Sequence, residues 1–318
     1  MYPPDDIRYM HSPDDIHYLR RQDIDTAKWD AAIHLIYGKS YYLDHMTDGQ
    51  WDALIAGDYK IVMPLTWRRK WGITYLYQPA FTQQLGLFST DPIPWHKTNA
   101  FLKECGRHFK FSEIFLNYRN PTPGLKSCTK LVLGLNASYE HLAASYKRDL
   151  LNNLKNAGSL HYVHGPDLAH ALSLFRELYS HRLPHLSSGD FDRFGQLCSA
   201  LEKKGQLVHR AVTDNNGQLL ATALLPRDGD RIYLLQSTVS TAGRLLGANH
   251  FLLDRLIFTL ARQRLTLDFE GSEQPGIAHF YRNFGAKDQP YFFYRNNHLP
   301  WPLRYLKPPP RTRSQHGD

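Results

Sequence analysis

The sequence predicts a mixed α/β (α+β) protein built from two domains, and three observations carry that reading. Strand-like and helix-like segments alternate through both halves of the chain. Its 318 residues are too many for one small domain and fit two of ordinary size. A short echo links the halves. Val62-Met-Pro-Leu65, a basic turn and Tyr75-Leu-Tyr-Gln78 parallel Leu224-Leu-Pro226, a polar turn and Tyr233-Leu-Leu-Gln236. At 42% hydrophobic and 21% charged, the composition supplies sizeable cores and excludes wholesale disorder.

The elements follow in order. Residues 1–24 are polar and carry a small duplication, Asp5-Asp-Ile-Arg-Tyr-Met10 and Asp14-Asp-Ile-His-Tyr-Leu19, which reads as an arm or edge-strand extension. The first domain spans 25–160. In it, 59–65 and 73–78 read as strands around the basic-aromatic turn Thr66-Trp-Arg-Arg-Lys-Trp-Gly72, a solvated hairpin tip able to touch an anionic partner. Residues 94–109 read as a helix and Phe111–Asn117 as a buried strand. Leu142, Tyr146, Leu150 and Leu154 recur every four residues, so 139–157 reads as one helix stopped by Gly158.

The second domain spans 161–306 and repeats the grammar. Helices are expected at 170–183 and 193–203, strands at 207–212, 218–225 and 231–236, and a hairpin turn at Asp214-Asn-Asn-Gly217. A long amphipathic helix over 247–263, a strand over 265–270 and a helix over 277–284 complete it. Residues 307–318 have no apolar side chain to bury and read as a disordered tail.

Charge and cysteines narrow the function classes. Lys and Arg exceed Asp and Glu for a net +8, which permits an anionic ligand but names none. The three cysteines are far apart, so neither a zinc knuckle nor a disulfide framework is indicated. His161/His164 and His181/His185 have metal-pair spacing but no third ligand nearby, so no metal is expected. Gly38-Lys39-Ser40 ends like a phosphate loop, but Ile33 stands where its first glycine is required. The acidic start has no apolar signal region, and no apolar run reaches the roughly 20 residues of a bilayer span. A cytoplasmic protein without membrane insertion is the expectation.

The most informative segment is Leu265-Thr-Leu-Asp-Phe-Glu-Gly-Ser-Glu-Gln-Pro-Gly-Ile-Ala-His-Phe-Tyr-Arg-Asn-Phe-Gly-Ala286. A strand ends in Asp268 and Glu270, whose two-residue spacing puts both on one face. A turn follows, then a short helix with Phe280-Tyr281 closing at Gly285. Phe-Tyr-x-x-x-Gly resembles the last helix motif of the GNAT acyltransferases. The wider string is similar to their tandem-domain subgroup, related to FemABX peptidoglycan-bridge transferases and BioF2-like acetyltransferase domains. Upstream, Arg244-Leu245-Leu246-Gly247-Ala248-Asn249 occupies the place of the GNAT Gln/Arg-x-x-Gly-x-Gly/Ala loop, with Asn249 where Gly or Ala is usual. The helix residues Tyr146–Ala157 resemble a Fem-type interdomain helix. In the first half, Tyr77–Gly86 holds the same place without Arg-x-x-Gly.

The resemblance implies two tandem GNAT-like domains, each a mixed, partly splayed sheet flanked by helices, the first degenerate and shaping the acceptor side, the second holding the donor. It implies N-acyl or N-acetyl transfer from acyl-CoA or acetyl-CoA to a small-molecule or peptide amine bound between them. The donor would lie beside Leu235, Gln236 and Ser237, whose amides would hold the oxyanion, with its phosphates on residues 244–249. Glu270, or alternatively Asp268, would be the general base, and Tyr281 would protonate the leaving group. Gln83, Gln84 and Ser272 are acceptor-groove candidates. Two alternatives stand beside this. One is a Fem-type transfer from aminoacyl-tRNA to an envelope precursor, favoured by the net charge. The other is a non-catalytic GNAT-like binding or scaffold protein.

Overall fold

The computed structural model describes residues 15–155, 157–271 and 275–307, so the first copy of the duplication, Ser272 and most of the expected tail lie outside the described residues. The first half contains β1 (Ile16–Leu19), α1 (Thr26–Ala32), α2 (Ser40–Thr47), β2 (Trp51–Ala56), β3 (Ile61–Lys70), β4 (Ile73–Leu76), α3 (Trp95–His108) and β5 (Phe111–Leu116). β6 (Lys126–Gly134), α4 (Tyr139–Ala143) and α5 (Arg148–Lys155) lead into the second half. There β7 (His161–His164), α6 (Leu168–Tyr179), α7 (Ser188–Lys203), β8 (Leu207–Thr213) and β9 (Leu219–Asp228) precede β10 (Arg231–Tyr233) and β11 (Gln236–Val239). The chain closes with α8 (Thr241–Leu245), α9 (Ala248–Leu260), β12 (Thr266–Gly271), α10 (Pro275–Arg282) and β13 (Lys287–Asn297).

The strands form one mixed sheet in the order β1-β2-β3-β4-β5-β13-β6-β12-β10-β9-β8-β7, with β11 paired to β9. The echoed segments hold matching places. β4 runs antiparallel to β3 and parallel to β5, and β10 runs antiparallel to β9 and parallel to β12. Each is therefore the point where a meander becomes a crossover. The C-terminal strand β13 does not stay with the second half: it lies between β5 and β6, antiparallel to both. The two halves are thus joined through continuous backbone pairing. They also share apolar packing, because Tyr233, Leu197 and Leu201 pack into the cluster of Trp29, Tyr37, Tyr42 and Trp51.

Several elements depart from the periodicity reading, each for a tertiary reason. The expected helix 139–157 is two helices, α4 and α5. Between them the Ser145 hydroxyl bonds Leu142 O and Lys147 N–H bonds Asn283 O. The turn at Gly285 comes so close that a Cβ there would sit 2.0 Å from Ser145 Oγ. Contact with this left-handed turn breaks the helix where its apolar period runs on. The basic-aromatic turn is mostly strand, since β3 extends to Lys70 and only Trp71 and Gly72 turn, both at positive φ (51° and 75°), the geometry of a tight two-residue hairpin. The expected strand 231–236 is interrupted. Leu235 N–H bonds Tyr233 O, a kink that parts β10 from β11. α7 starts earlier than expected, on a capping box between Ser187 and Asp190.

Candidate active site

The kink at Leu234–Leu235 builds the site. β10 is hydrogen-bonded on both sides, by β9 and β12. Past the kink, β11 follows β9 alone. β11 and β12 therefore splay apart. Amides on a strand alternate in direction, so those of β11 that do not bond β9 point into the gap. A cleft of about 770 Å³ opens there, and its walls come from both halves. Leu235, Gln236 and Ser237 line one side, Glu270 and Tyr281 another, and Gln83 comes from the first half.

Glu270 is held in an unusual way. It has φ +65°, a left-handed conformation that costs a non-glycine residue on the order of 1 kcal/mol. The pairing of β12 with β6 shifts register between Asp268 and Gly271. Strand alternation fails here, and this separates the two carboxylates expected on one face. Asp268 turns inward, fully buried, with Oδ2 accepting from Lys130 Nζ and Arg231 NH1, each at 2.6 Å. Asp268 does not line the cleft. Fully buried, paired with two cations through Oδ2 and bonded to the Glu270 amide through Oδ1, it is out of a substrate's reach, so its candidacy as general base is corrected to that of a structural anion.

Glu270 faces the cleft and accepts a hydrogen bond from the Tyr37 hydroxyl. Burial pushes its carboxyl well above the ordinary carboxylate range. The Tyr37 bond favours the ionised form and works against that shift, and burial prevails. Tyr37 reaches across from the turn before α2 and packs edge-on against Tyr233 at 5.3 Å. Tyr281, on α10, stacks on Phe269 at 4.6 Å. Burial raises its hydroxyl pKa, and the charges of Glu270 and Tyr179 add to the shift, so the phenol stays protonated at neutral pH. The cleft thus sets a half-buried, hard-to-ionise carboxyl beside a neutral phenol.

The other expected residues divide. Leu235 lines the cleft, but its amide is spent on Tyr233 O and cannot serve an oxyanion. Gln236 bonds Thr222 and Thr238 through Nε2, while its Oε1 is buried with no partner among the described residues. Ser237 Oγ donates to Asn249 Oδ1 at 2.9 Å and ties β11 to α9. Gln84 is fully buried and structural: it accepts from Tyr118 N–H and donates to Gln83. Arg244, Leu245, Leu246, Gly247, Ala248 and Asn249 do not line this cleft.

The segment expected to cradle a pyrophosphate folds on itself. Arg244, Leu246 and Gly247 N–H groups bond Ser240, Ala242 and Arg244 carbonyls as part of the short helix α8 and its end. Ser240 Oγ caps Gly243 N–H. A Cβ on Gly243 would lie 2.4 Å from Leu220 O, so this turn is pinned against the sheet. Amides already bonded inside a turn cannot also wrap a phosphate. Of the expected cradle, only the first-turn amides of α9, at Ala248 and Asn249 behind the uncapped Gly247, stay open to an anion.

Sequence reasoning missed Tyr37, which lies in the stretch dismissed as a failed phosphate loop, and Lys130 and Arg231, the partners of Asp268. Cleft residue Asp190 was also unmarked, and Arg68 and Tyr77 were read only as parts of a hairpin tip and of the first-half loop; the Arg68 guanidinium sits 4.2 Å from the Tyr77 ring. No short-range pattern signals these residues, because each acts across 37 or more positions or through a shared wall.

Comparison with known proteins agrees with this geometry. Residues 144–280 match the acetyltransferase (GNAT) domain family, a span that contains the kink, β11 and β12 and ends within α10, one residue before Tyr281. The chain superposes on the crystal structure of FemX with a TM-score of 0.59 at 15% identity, covering 92% of this chain and 99% of that one. The fold is a tandem GNAT, FemX-like one. A conserved protein of unknown function from Bacteroides thetaiotaomicron is also similar, with a TM-score of 0.54 at 10% identity over 85% of this chain and 92% of that one. So is the C-terminal domain of an Agrobacterium fabrum protein assigned as a lysylphosphatidylglycerol synthetase, at 0.53 and 9% identity over 89% and 94%. No curated protein sequence matches the chain. Among the described residues, no helix of this tandem GNAT fold is long and apolar enough to cross a membrane, and no group of three or more His, Cys, Asp or Glu could hold a metal ion.

Proposed function

We propose that the chain is an acyltransferase that moves an acyl group onto an amine in the cleft between its halves. The carrying observation is the meeting of Glu270 and Tyr281 at the gap where β11 leaves β12. The acceptor amine gives its proton to the Glu270 carboxylate as its nitrogen bonds the acyl carbon. Amides of β11 that point into the gap stabilise the oxyanion. The bond from the acyl carbon to the donor's leaving atom then breaks, and Tyr281 protonates that atom. The sum is amine plus acyl donor giving amide plus protonated leaving group.

One observation favours a particular donor class. The amides of Arg244, Leu246 and Gly247 are committed internally, so a donor anchored by a CoA pyrophosphate there has a reduced cradle, the first-turn amides of α9 alone. An aminoacyl ester on tRNA needs none, and the net charge of +8 suits it. Calorimetry separates the two. Acetyl-CoA is expected to give no heat at about 1 mM, with wild type or with Asn249→Gly, because the obstacle is the folded turn and not one side chain. Aminoacyl-tRNA is expected to bind with an affinity that falls steeply as salt rises. Tight acetyl-CoA binding and a flat salt dependence would reject the tRNA donor in favour of a thioester.

A further inference from the structure

The basic-aromatic hairpin is not explained by the cleft chemistry, and the fold adds to it. The tip of β3–β4 carries Arg69, Lys70 and Trp71, and Trp71 is 72% exposed. The short 3-10 turn after β13, Leu303–Leu306, is brought beside it. Lys70 and Trp71 share a hollow of about 300 Å³ with Leu299, Leu303, Leu306 and Lys307. Around this hollow Trp301, Tyr305 and Leu306 are 75%, 65% and 66% exposed. Single exposed apolar residues need no explanation, but four of the ten exposed large hydrophobic residues of the described chain, Trp71, Trp301, Tyr305 and Leu306, lie in or beside these two segments, and Trp71 and Leu306 line the hollow itself.

The charge is equally one-sided. Residues 66–75 and 295–307 contain Arg68, Arg69, Lys70, Arg295, Arg304 and Lys307 and no Asp or Glu. Two of these six are already matched, Arg68 by Asp190 and Arg295 by Glu113. The others stand with the aromatics: Lys70 Nζ lies 4.8 Å from the Trp71 ring and the Arg304 guanidinium 5.0 Å from that of Tyr305. Exposed Trp and Tyr with apolar bodies and polar edges, interleaved with Lys and Arg, match the boundary between headgroups and acyl chains of an anionic bilayer.

We infer that this face, formed by the β3–β4 tip and the 303–306 turn, docks the protein on the surface of an anionic lipid bilayer. The aromatic side chains enter the headgroup layer, and Arg69, Lys70, Arg304 and Lys307 meet lipid phosphates. No helix spans; the contact is peripheral. The hollow is also continuous with the cleft. Tyr75, Phe111 and Lys307 line both the hollow and a neighbouring groove, and Tyr77, Gln78, Phe115 and His185 line both that groove and the cleft. Docking therefore turns a path to Glu270 toward the lipid. The docking inference does not depend on acyl transfer and is tested without an activity assay.

The test is sedimentation of the full chain with vesicles of phosphatidylcholine alone and of phosphatidylcholine containing about one-third phosphatidylglycerol. Binding is expected to the anionic vesicles, at least about tenfold tighter than to the neutral ones, and to weaken with salt. Lys70→Glu and Trp71→Ser, both exposed and expected to melt like wild type, should each weaken it by roughly tenfold. Equal binding to both vesicles, no binding to either, or unchanged binding by both variants would overturn the inference. Gel filtration with light scattering covers the rival occupant. A concentration-dependent dimer lost in Trp71→Ser, without vesicle binding, would make this face a contact between two copies of the chain.

Discussion

Glu270→Gln is expected to lower the rate of acyl transfer by about 100-fold or more while leaving the fold intact. The amide keeps the size of the carboxyl and can still accept the Tyr37 hydroxyl, but it cannot take a proton from an amine. The pH behaviour follows from the raised pKa. Only the ionised carboxyl is a base, so wild-type activity rises with pH through a value well above the usual 4.5. Stability runs the other way. A carboxyl that holds its proton more tightly when folded contributes stability that is fully present below 4.5 and is lost as pH rises through the folded value. Glutamine mimics the protonated form and escapes that loss. At neutral and alkaline pH the variant should melt at the wild-type temperature or above it, which calorimetry can read beside the rate. A variant that keeps full activity would remove Glu270 from the mechanism and favour a binding protein.

Tyr37→Phe separates position from chemistry. It removes the hydrogen bond that the Glu270 carboxyl accepts among the described residues and leaves the ring packed on Tyr42 and Tyr233. Without that donor the ionised form is less favoured, so the pH–rate profile is expected to shift to higher pH, by about 1 unit, with a smaller loss at its plateau. A uniform loss at every pH would assign Tyr37 a packing role only.

The parts of the site that the sequence disclosed are those written within one stretch of chain. Glu270 and Tyr281 are 11 positions apart on consecutive elements, and the strand–turn–helix pattern around them is local. The echo of Tyr75–Gln78 in Tyr233–Gln236 is legible for a related reason: each copy marks the same crossover point of a half-sheet. What was not legible depends on distant pairing. β6 and β13 are half-exposed strands with no clean alternation, and their place is fixed only by each other and by β5 and β12. The inference that Asp268 and Glu270 share a face assumed an unbroken period of two. A register shift and a left-handed residue cancelled it, and neither leaves a mark on a six-residue strand. The loop at 244–249 matches its family pattern in residue types yet bonds its own carbonyls over 244–247, because Ser240 and the close packing of Gly243 on Leu220 wind it into a helical turn first.

Asp268→Asn tests the other half of the carboxylate assignment, and its expected effect is on folding. Asp268 and Lys130 are fully buried, and Arg231 is nearly so. Burial pulls the Lys130 ammonium down to about 8, against the pull of Asp268 and with repulsion from Arg231. Removing the single anion leaves two buried cations facing each other, which costs about 3–5 kcal/mol. Urea unfolding should show this as a lower midpoint with an unchanged slope. If the loss is the unpaired charge and not a missing contact, adding Lys130→Met should return part of it, since the second variant removes one of the stranded cations. The wild type carries a pH signature of the same cluster. A lysine whose folded pKa is depressed holds fewer protons folded than unfolded between about 8 and 10.5, so its penalty is fully present below 8 and is relieved as pH rises through that window. Lys130→Met should abolish that rise. An Asp268→Asn protein that kept its stability and lost only its rate would return Asp268 to the acid–base chemistry; one that unfolds early leaves Glu270 as the base.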